Sequence, residues 1–207
     1  MWLCHPALQR RAFIDRSMLM ACCCSMLACG WNPLTDDPDP DPIMYYQNPD
    51  SAWMVLANLQ YSYRTRDVDL YSECFSEDFE FFMPEEFWAD YDGDGLLDSC
   101  WGVDVELAIT EAMFESVDLV ELSLVGSSES LWSGDSTGTT WQLSRGFNLV
   151  IYPSLVPADS LSAYGMQEFL LRPDSAGIFH IWKWWDYSDP AAPFCWTELK
   201  GIGSWSR

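Results

Sequence analysis

Residues 55–82 read VLANLQYSYRTRDVDLYSECFSEDFEFF, and the period of their apolar residues changes within the stretch. Just upstream, Asp50 or Ser51 is available to cap a helix N-terminus. Trp53, Leu56, Leu59 or Gln60, and Tyr63 then recur at helical spacing. Asp67 stands as the cap of a second, short helix over residues 67–76, DVDLYSECFS. In DFEFFM, residues 78–83, Phe79, Phe81 and Met83 alternate with Glu80 and Phe82, the period of a strand. Pro84 has no N–H to give a ladder and ends it.

Beyond an acidic stretch at Glu85–Ser99, WGVDVELAITEAMFES, residues 101–116, returns to the helical period, with Val103, Leu107, Thr110 and Phe114 on one face. Everything after Ser116 reads as strand: VDLVELSLVGSS, TTWQLSRGFNLVIYP, LSAYGMQEFLLRP and GIFHIWKWWDYS. These runs are rich in β-branched and aromatic residues and are punctuated by Gly, Ser, Pro and Asp. Trp141, Leu143, Arg145 and Phe147 share one face of the second. In the last, Phe179, Ile181, Lys183 and Trp185 are expected to face one way and Ile178, His180, Trp182 and Trp184 the other. Both faces are largely apolar, which predicts helices on one and partial cover on the other.

Upstream of the helices the chain changes character. Arg10, Arg11 and Arg16 precede a short apolar run of small residues, SMLMACCCSMLACG. A basic segment followed by such a run has the form of a secretory signal, and the run is too short for a membrane span, which takes ~20 residues. Its end, Met26-Leu27-Ala28-Cys29-Gly30, resembles a bacterial lipobox, which predicts a signal over 1–28 and lipid attachment on Cys29. Residues 29–48 alternate Asp and Pro; proline removes donors and extends its neighbours, so this segment is expected to be a disordered acidic tether, with the domain over 49–207. The chain is then placed in the bacterial cell envelope, anchored to a membrane through its N-terminal lipid.

The 207 residues hold 32 Asp and Glu against 10 Lys and Arg, a net charge of −22. That excess argues against nucleic acid, whose phosphates need a basic surface. Of eight cysteines, Cys74, Cys100 and Cys195 remain after Cys29. An oxidising compartment permits one disulfide among the three.

The order helix, helix, strand, helix, then four long strands, with the words of residues 55–82, WGVDVELAITEAMF and IWKWWDY, resembles the NTF2-like (SnoaL-like, cystatin-like) domain over residues 50–188. The resemblance implies an α+β cone, three N-terminal helices packed in a curved antiparallel sheet, its open end often a pocket. The tail PAAPFCWTELKGIGSWSR departs from the pattern. Members of the family include isomerases, dehydratases, cyclases and partner-binding modules, and many dimerise through the sheet, so fold does not give function. Three classes follow: a binder of a small apolar ligand or a protein partner; an isomerase or hydro-lyase working in the cone; and a structural envelope protein whose pocket is filled by its own Trp and Phe. An enzyme requires an open cavity with a converging acid or tyrosine, and Tyr61, Tyr63, Asp67, His180 and Asp186 are the candidates. Each has a plainer role, as core, cap or strand residue, and no catalytic residue is assigned.

One motif carries metal chemistry. An EF-type loop supplies oxygens from alternate positions, one a carbonyl, turns at a glycine and closes on a bidentate acid. In DYDGDGLLD, Asp90, Asp92, Asp94, the carbonyl of Leu96, and Asp98 match in order, with Gly95 at the turn. Trp101 stands where the closing acid belongs, so closure falls to Glu85, Glu86 or Asp104. Calcium is the cation such a loop would take; the competing reading is a solvated acidic turn.

Overall fold

The computed structural model describes residues 44–88, 90, 95–154 and 160–201. Helix α1 (Ala52–Thr65) starts where Ser51 takes extended geometry and buries Ala52, Val55, Leu56, Leu59, Ser62 and Tyr63. This stripe is rotated from the expected one. Trp53 is 47% exposed and packs edge-on to Tyr46, with ring centroids 5.2 Å apart. The tyrosine belongs to a stretch that the sequence reading placed in the tether. Tyr46 N–H donates to Asn58 Oδ1 at 2.7 Å and Asn58 Nδ2 returns a bond to the Tyr46 carbonyl at 2.8 Å. Tyr45 and Tyr46 therefore pack against α1, and the buried amide of Asn58 takes its partners from Tyr46.

α1 ends at Arg66, the one non-glycine with positive φ among the described residues, at 54°. Its guanidinium donates to the Val117 carbonyl, so the end of α1 is tied to the first residue of β3 (Val117–Leu131). Asp67 caps α2 (Val68–Ser72) as expected, its carboxylate accepting from Leu70 N–H at 3.0 Å.

The remaining elements are β1 (Phe75–Phe82), β2 (Cys100–Gly102), α3 (Val103–Ser116), β4 (Trp141–Pro153), β5 (Leu161–Pro173), β6 (Phe179–Ser188) and α4 (Trp196–Gly201). Six strands form one sheet in the order β2-β1-β6-β5-β4-β3. It is mixed: every neighbouring pair is antiparallel except β1 and β6, which run parallel. An α+β cone with three helices against a curved sheet is therefore present, with one parallel pair where an antiparallel sheet was expected. The strand that precedes α3, β2, forms the first edge of the sheet, and α4 lies in the tail.

Irregular register bends this sheet. β3 shifts against β4 between Val117 and Leu119 and between Gly126 and Ser128. β6 shifts against β5, where Leu170 pairs Lys183 and the next residue, Leu171, pairs Ile181. Trp182 is the extra residue, and an extra residue inverts the alternation beyond it. The expected faces of β6 are thus corrected: Ile181 is buried before the bulge, and Trp184 and Asp186 are buried after it. Lys183 and Trp185 turn to the outside. Beside them on β5, a Cβ on Gly165 would meet the Tyr187 carbonyl at 2.6 Å and the Phe147 ring at 3.1 Å, so only glycine lets these strands approach.

α3 also differs. It buries Glu106, Thr110, Met113 and Phe114, whereas Val103 and Leu107 are only partly buried. A carboxylate occupies a place that the apolar periodicity had reserved for Leu107, and its partners explain why.

Candidate functional site

The concave side of the sheet and the three helices enclose an aromatic interior. Tyr63 and Tyr71 lie edge to face with centroids 5.5 Å apart, and Tyr63 meets Phe114 at 5.3 Å in the same manner. Phe81 stacks on Trp101 at 4.6 Å and touches Trp184 edge-on at 5.4 Å. Into this interior comes α4. Trp196 and Leu199 are fully buried and Lys200 is 2% exposed. Trp196 packs on Trp184 at 5.0 Å and on Phe147 and Tyr63 at 5.3 Å.

A charged network lies under α4. Lys200 Nζ pairs with Glu106 Oε1, and both side chains are fully buried. Lys200 also donates to Tyr71 OH at 3.0 Å and to Thr110 Oγ1 at 3.1 Å. Tyr71 OH donates to the same Glu106 oxygen, and Trp101 Nε1 donates to Glu106 Oε2 at 2.8 Å. Burial pulls the Lys200 ammonium below its ordinary value, with Glu106 opposing. Burial and then the Glu106 charge raise the hydroxyls of Tyr63 and Tyr71 well above theirs.

The start of α4 is held separately. Asp186 Oδ2 accepts from Thr197 N–H at 2.9 Å and from Thr197 Oγ1 at 2.8 Å. Cys195 Sγ accepts from Glu198 N–H at 3.2 Å, closing the first turn. Burial pushes the Asp186 carboxyl up to about 6, against the two Thr197 donors and Lys200. Asp186 Oδ1, both ends of the Gln167 amide, and the indole N–H groups of Trp184 and Trp196 are buried without a hydrogen-bond partner among the described residues. Gln167 and Asp186 face each other in register across β5 and β6.

Of the five residues singled out for acid–base work, the structure brings two into the cone, Tyr63 and Asp186. Tyr61 is half-buried on the far side of α1, 5.8 Å from the Tyr45 ring. Asp67 is a helix cap. His180 lies outside the cone in a groove of 830 Å³ shared with Tyr45, Asn48, Asn58, Glu73 and Phe75. Its Nδ1 is 3.2 Å from the Glu73 carbonyl oxygen and its Nε2 is 3.7 Å from the Asp174 carboxylate. The sequence reading missed Glu106, Lys200, Tyr71 and Thr197. A signal existed for Lys200, which follows Trp196 by one helical turn.

Of the calcium motif, Asp92 and Asp94 lie outside the described residues, as does Cys29. Asp90 Oδ2 accepts from Gly95 N–H at 3.0 Å, and Gly95 takes φ 87°, a backbone conformation that glycine permits. Among the described residues no three acidic, His or Cys side chains are grouped to hold a metal. Cys74, Cys100 and Cys195 are all free, the first and last buried, and burial pushes the Cys195 thiol up to about 12.

No family model matches the sequence, and no curated protein matches it. Among solved structures, a conserved protein from Planctomyces limnophilus is similar, with a TM-score of 0.52 and 14% identity over 64% of this chain and 89% of that one. An NTF2-like superfamily protein from Salmonella enterica gives 0.49 and 12% over 68% and 89%. A ketosteroid isomerase-like protein from Erwinia carotovora gives 0.46 and 11% over 63% and 88%. At such identities the likeness is one of fold.

Asp186 gives a pH signature. Its carboxyl rises from an ordinary 3.8 to about 6 in the folded chain, so the folded state binds more protons than the unfolded one between those values. Stability from this group is present below pH 4 and lost as pH rises through 6, by about 3 kcal/mol. Urea unfolding of wild type and Asp186→Asn at pH 4 and pH 7 isolates it: wild type loses stability relative to the variant on going to pH 7. A constant difference between the two proteins would rule the assignment out.

Proposed function

Taking the domain as an NTF2-like cone closed from within by its own C-terminal helix, we propose that this chain is a non-catalytic binding domain of the bacterial cell envelope. It is tethered through lipid on Cys29 and meets a protein partner with the outside of its sheet. The observation that carries the non-catalytic reading is the filling of the cone. A small-molecule site needs a concave cavity with a few convergent polar groups, and α4 occupies that place with Trp196, Leu199 and Lys200. Within the cone the groups whose acidity is displaced, Tyr63, Tyr71, Asp186 and Lys200, are all buried, which keeps them from a substrate.

The outer face supports a partner. Val125, Gly146, Met166 and Tyr187 form one row in register across β3, β4, β5 and β6. Val125 is 64%, Met166 41% and Tyr187 49% exposed. Contiguous apolar surface of this kind marks interaction sites. A second copy of the chain is one occupant such a face would accept. Residues 90–98 are proposed to bind calcium, pinning the connection between β1 and β2; weak extracellular sites have constants of about 10⁻⁴–10⁻³ M.

Three measurements test this reading. Anilinonaphthalene sulfonate should be brighter with Trp196→Ala, which removes an indole from the cone, than with the wild type; equal brightness in the two sinks the sealed cone. Cys29→Ser should move the chain from the membrane to the soluble fraction of a bacterial host, and unchanged retention counts against the lipid. Calcium at ~1 mM should raise the melting temperature, and Asp92→Ala with Asp94→Ala should remove the rise; absence of any calorimetric heat would dispose of the site.

A further inference from the structure

The same interior has a chemistry more specific than a filled core requires. We propose that the cone carries a recognition site for a primary alkylammonium group, and that Lys200 is its occupant in cis. An ammonium presents three N–H donors and no acceptor. Here three acceptors converge on Lys200 Nζ: Glu106 Oε1, Tyr71 OH at 3.0 Å and Thr110 Oγ1 at 3.1 Å. Four rings surround the same nitrogen, Tyr71 and Trp184 at 5.4 Å, Trp196 at 5.6 Å and Phe81 at 5.9 Å from their centroids. Those distances are within cation–π range, and such contacts are strongest when desolvated.

The host is built without its guest. The three acceptors belong to α2 and α3, and three of the four rings belong to α2, β1 and β6. Glu106 is oriented from outside α4 by Trp101 Nε1 at 2.8 Å and by Tyr71 OH. Lys200 arrives on a six-residue helix whose other end is fixed by Asp186 and Cys195. A carboxylate with two hydroxyls selects by charge and by the number of N–H groups. It favours R–NH₃⁺ over trimethylammonium, which has no donor to give, and over a planar guanidinium. In the intact chain α4 keeps external amines out, so an aliphatic primary amine enters only where Lys200 has left.

This inference rests on the sealed cone proposed above, and the two fail separately. Lys200→Ala deletes the equivalent of propylammonium. The full-length variant should show a saturable rise in melting temperature with propylammonium chloride over sodium chloride at equal ionic strength. The rise should be about 3–6 °C at tenfold excess over the dissociation constant. Wild type, Lys200→Met, and Lys200→Ala combined with Glu106→Gln should show none, nor should trimethylpropylammonium on Lys200→Ala. Equal rises in wild type or Lys200→Met, or an equal rise of Lys200→Ala with neutral propanol, overturn the proposal, the last by showing cavity filling alone. If Lys200→Ala is recovered only unfolded, its refolding yield with propylammonium against sodium reads the same point, and no gain overturns it. Equal dye binding by wild type and Trp196→Ala alongside amine rescue would break the seal and leave the ammonium site standing.

Discussion

The pair between Lys200 and Glu106 decides how this cone is closed. Two opposite charges with no solvent contact cost several kcal/mol each to desolvate, and their attraction offsets this only if every remaining donor and acceptor is used. Here they are used: the ammonium has three acceptors, and the carboxylate takes Tyr71, Lys200 and Trp101. An apolar plug of the same volume would serve stability as well. What the pair adds is position. Lys200 fits one place on α3, so α4 has one depth and one rotation in the cone, and Trp196, one turn earlier, is carried against Trp184 and Phe147. Removing one partner would leave the other charged and alone, at a cost of about 3–5 kcal/mol.

The sheet makes room for this by a single extra residue. With Trp182 as the bulge in β6, Trp184 and Asp186 turn inward, one to wall the cone and one to hold the start of α4. The bulged residue joins a ladder on the outside: Arg172 lies 4.4 Å and Lys183 Nζ 4.9 Å from the Trp182 ring, and Lys183 Nζ is 5.1 Å from Phe82. Phe82 in turn stacks on Trp185 at 4.9 Å. Stems and rings thus cover the outer face over β1 and β6. Among the described residues no such ladder covers the row Val125, Gly146, Met166 and Tyr187, and its apolar side chains are exposed. One register shift therefore sets both the content of the cone and the place of the outer ladder.

Much of the fold was legible in residues 55–82, because the change from helical to strand period and the Asp67 cap are local. The long strands were legible for the same reason. The faces of β6 were not, since alternation assumes that no residue is skipped, and a bulge is decided by the neighbouring strand. Glu106 was illegible for a related reason. A periodicity argument treats a glutamate as solvent-facing, and only a lysine 94 positions away makes its burial tolerable. Of the candidate residues, Asp186 was found through the resemblance of IWKWWDY to the family's last long strand. Its task of capping α4 depends on a tail that local pattern read as unlike the family. His180 drew interest as one of only two histidines, the other being His5, yet rarity carries no geometry, and it lies outside the cone.

The interior remains more polar than closure demands. Gln167, Asp186 Oδ1 and the N–H groups of Trp184 and Trp196 are buried without partners among the described residues, and each such group costs about 1–3 kcal/mol. A cone selected only to be filled would replace them with apolar groups of equal shape at little loss. They lie beside the tripod of ammonium acceptors that the proposal above reads as a recognition site. On that view α4 supplies both the guest and the lid, and the free energy that holds it is the margin an incoming partner must exceed.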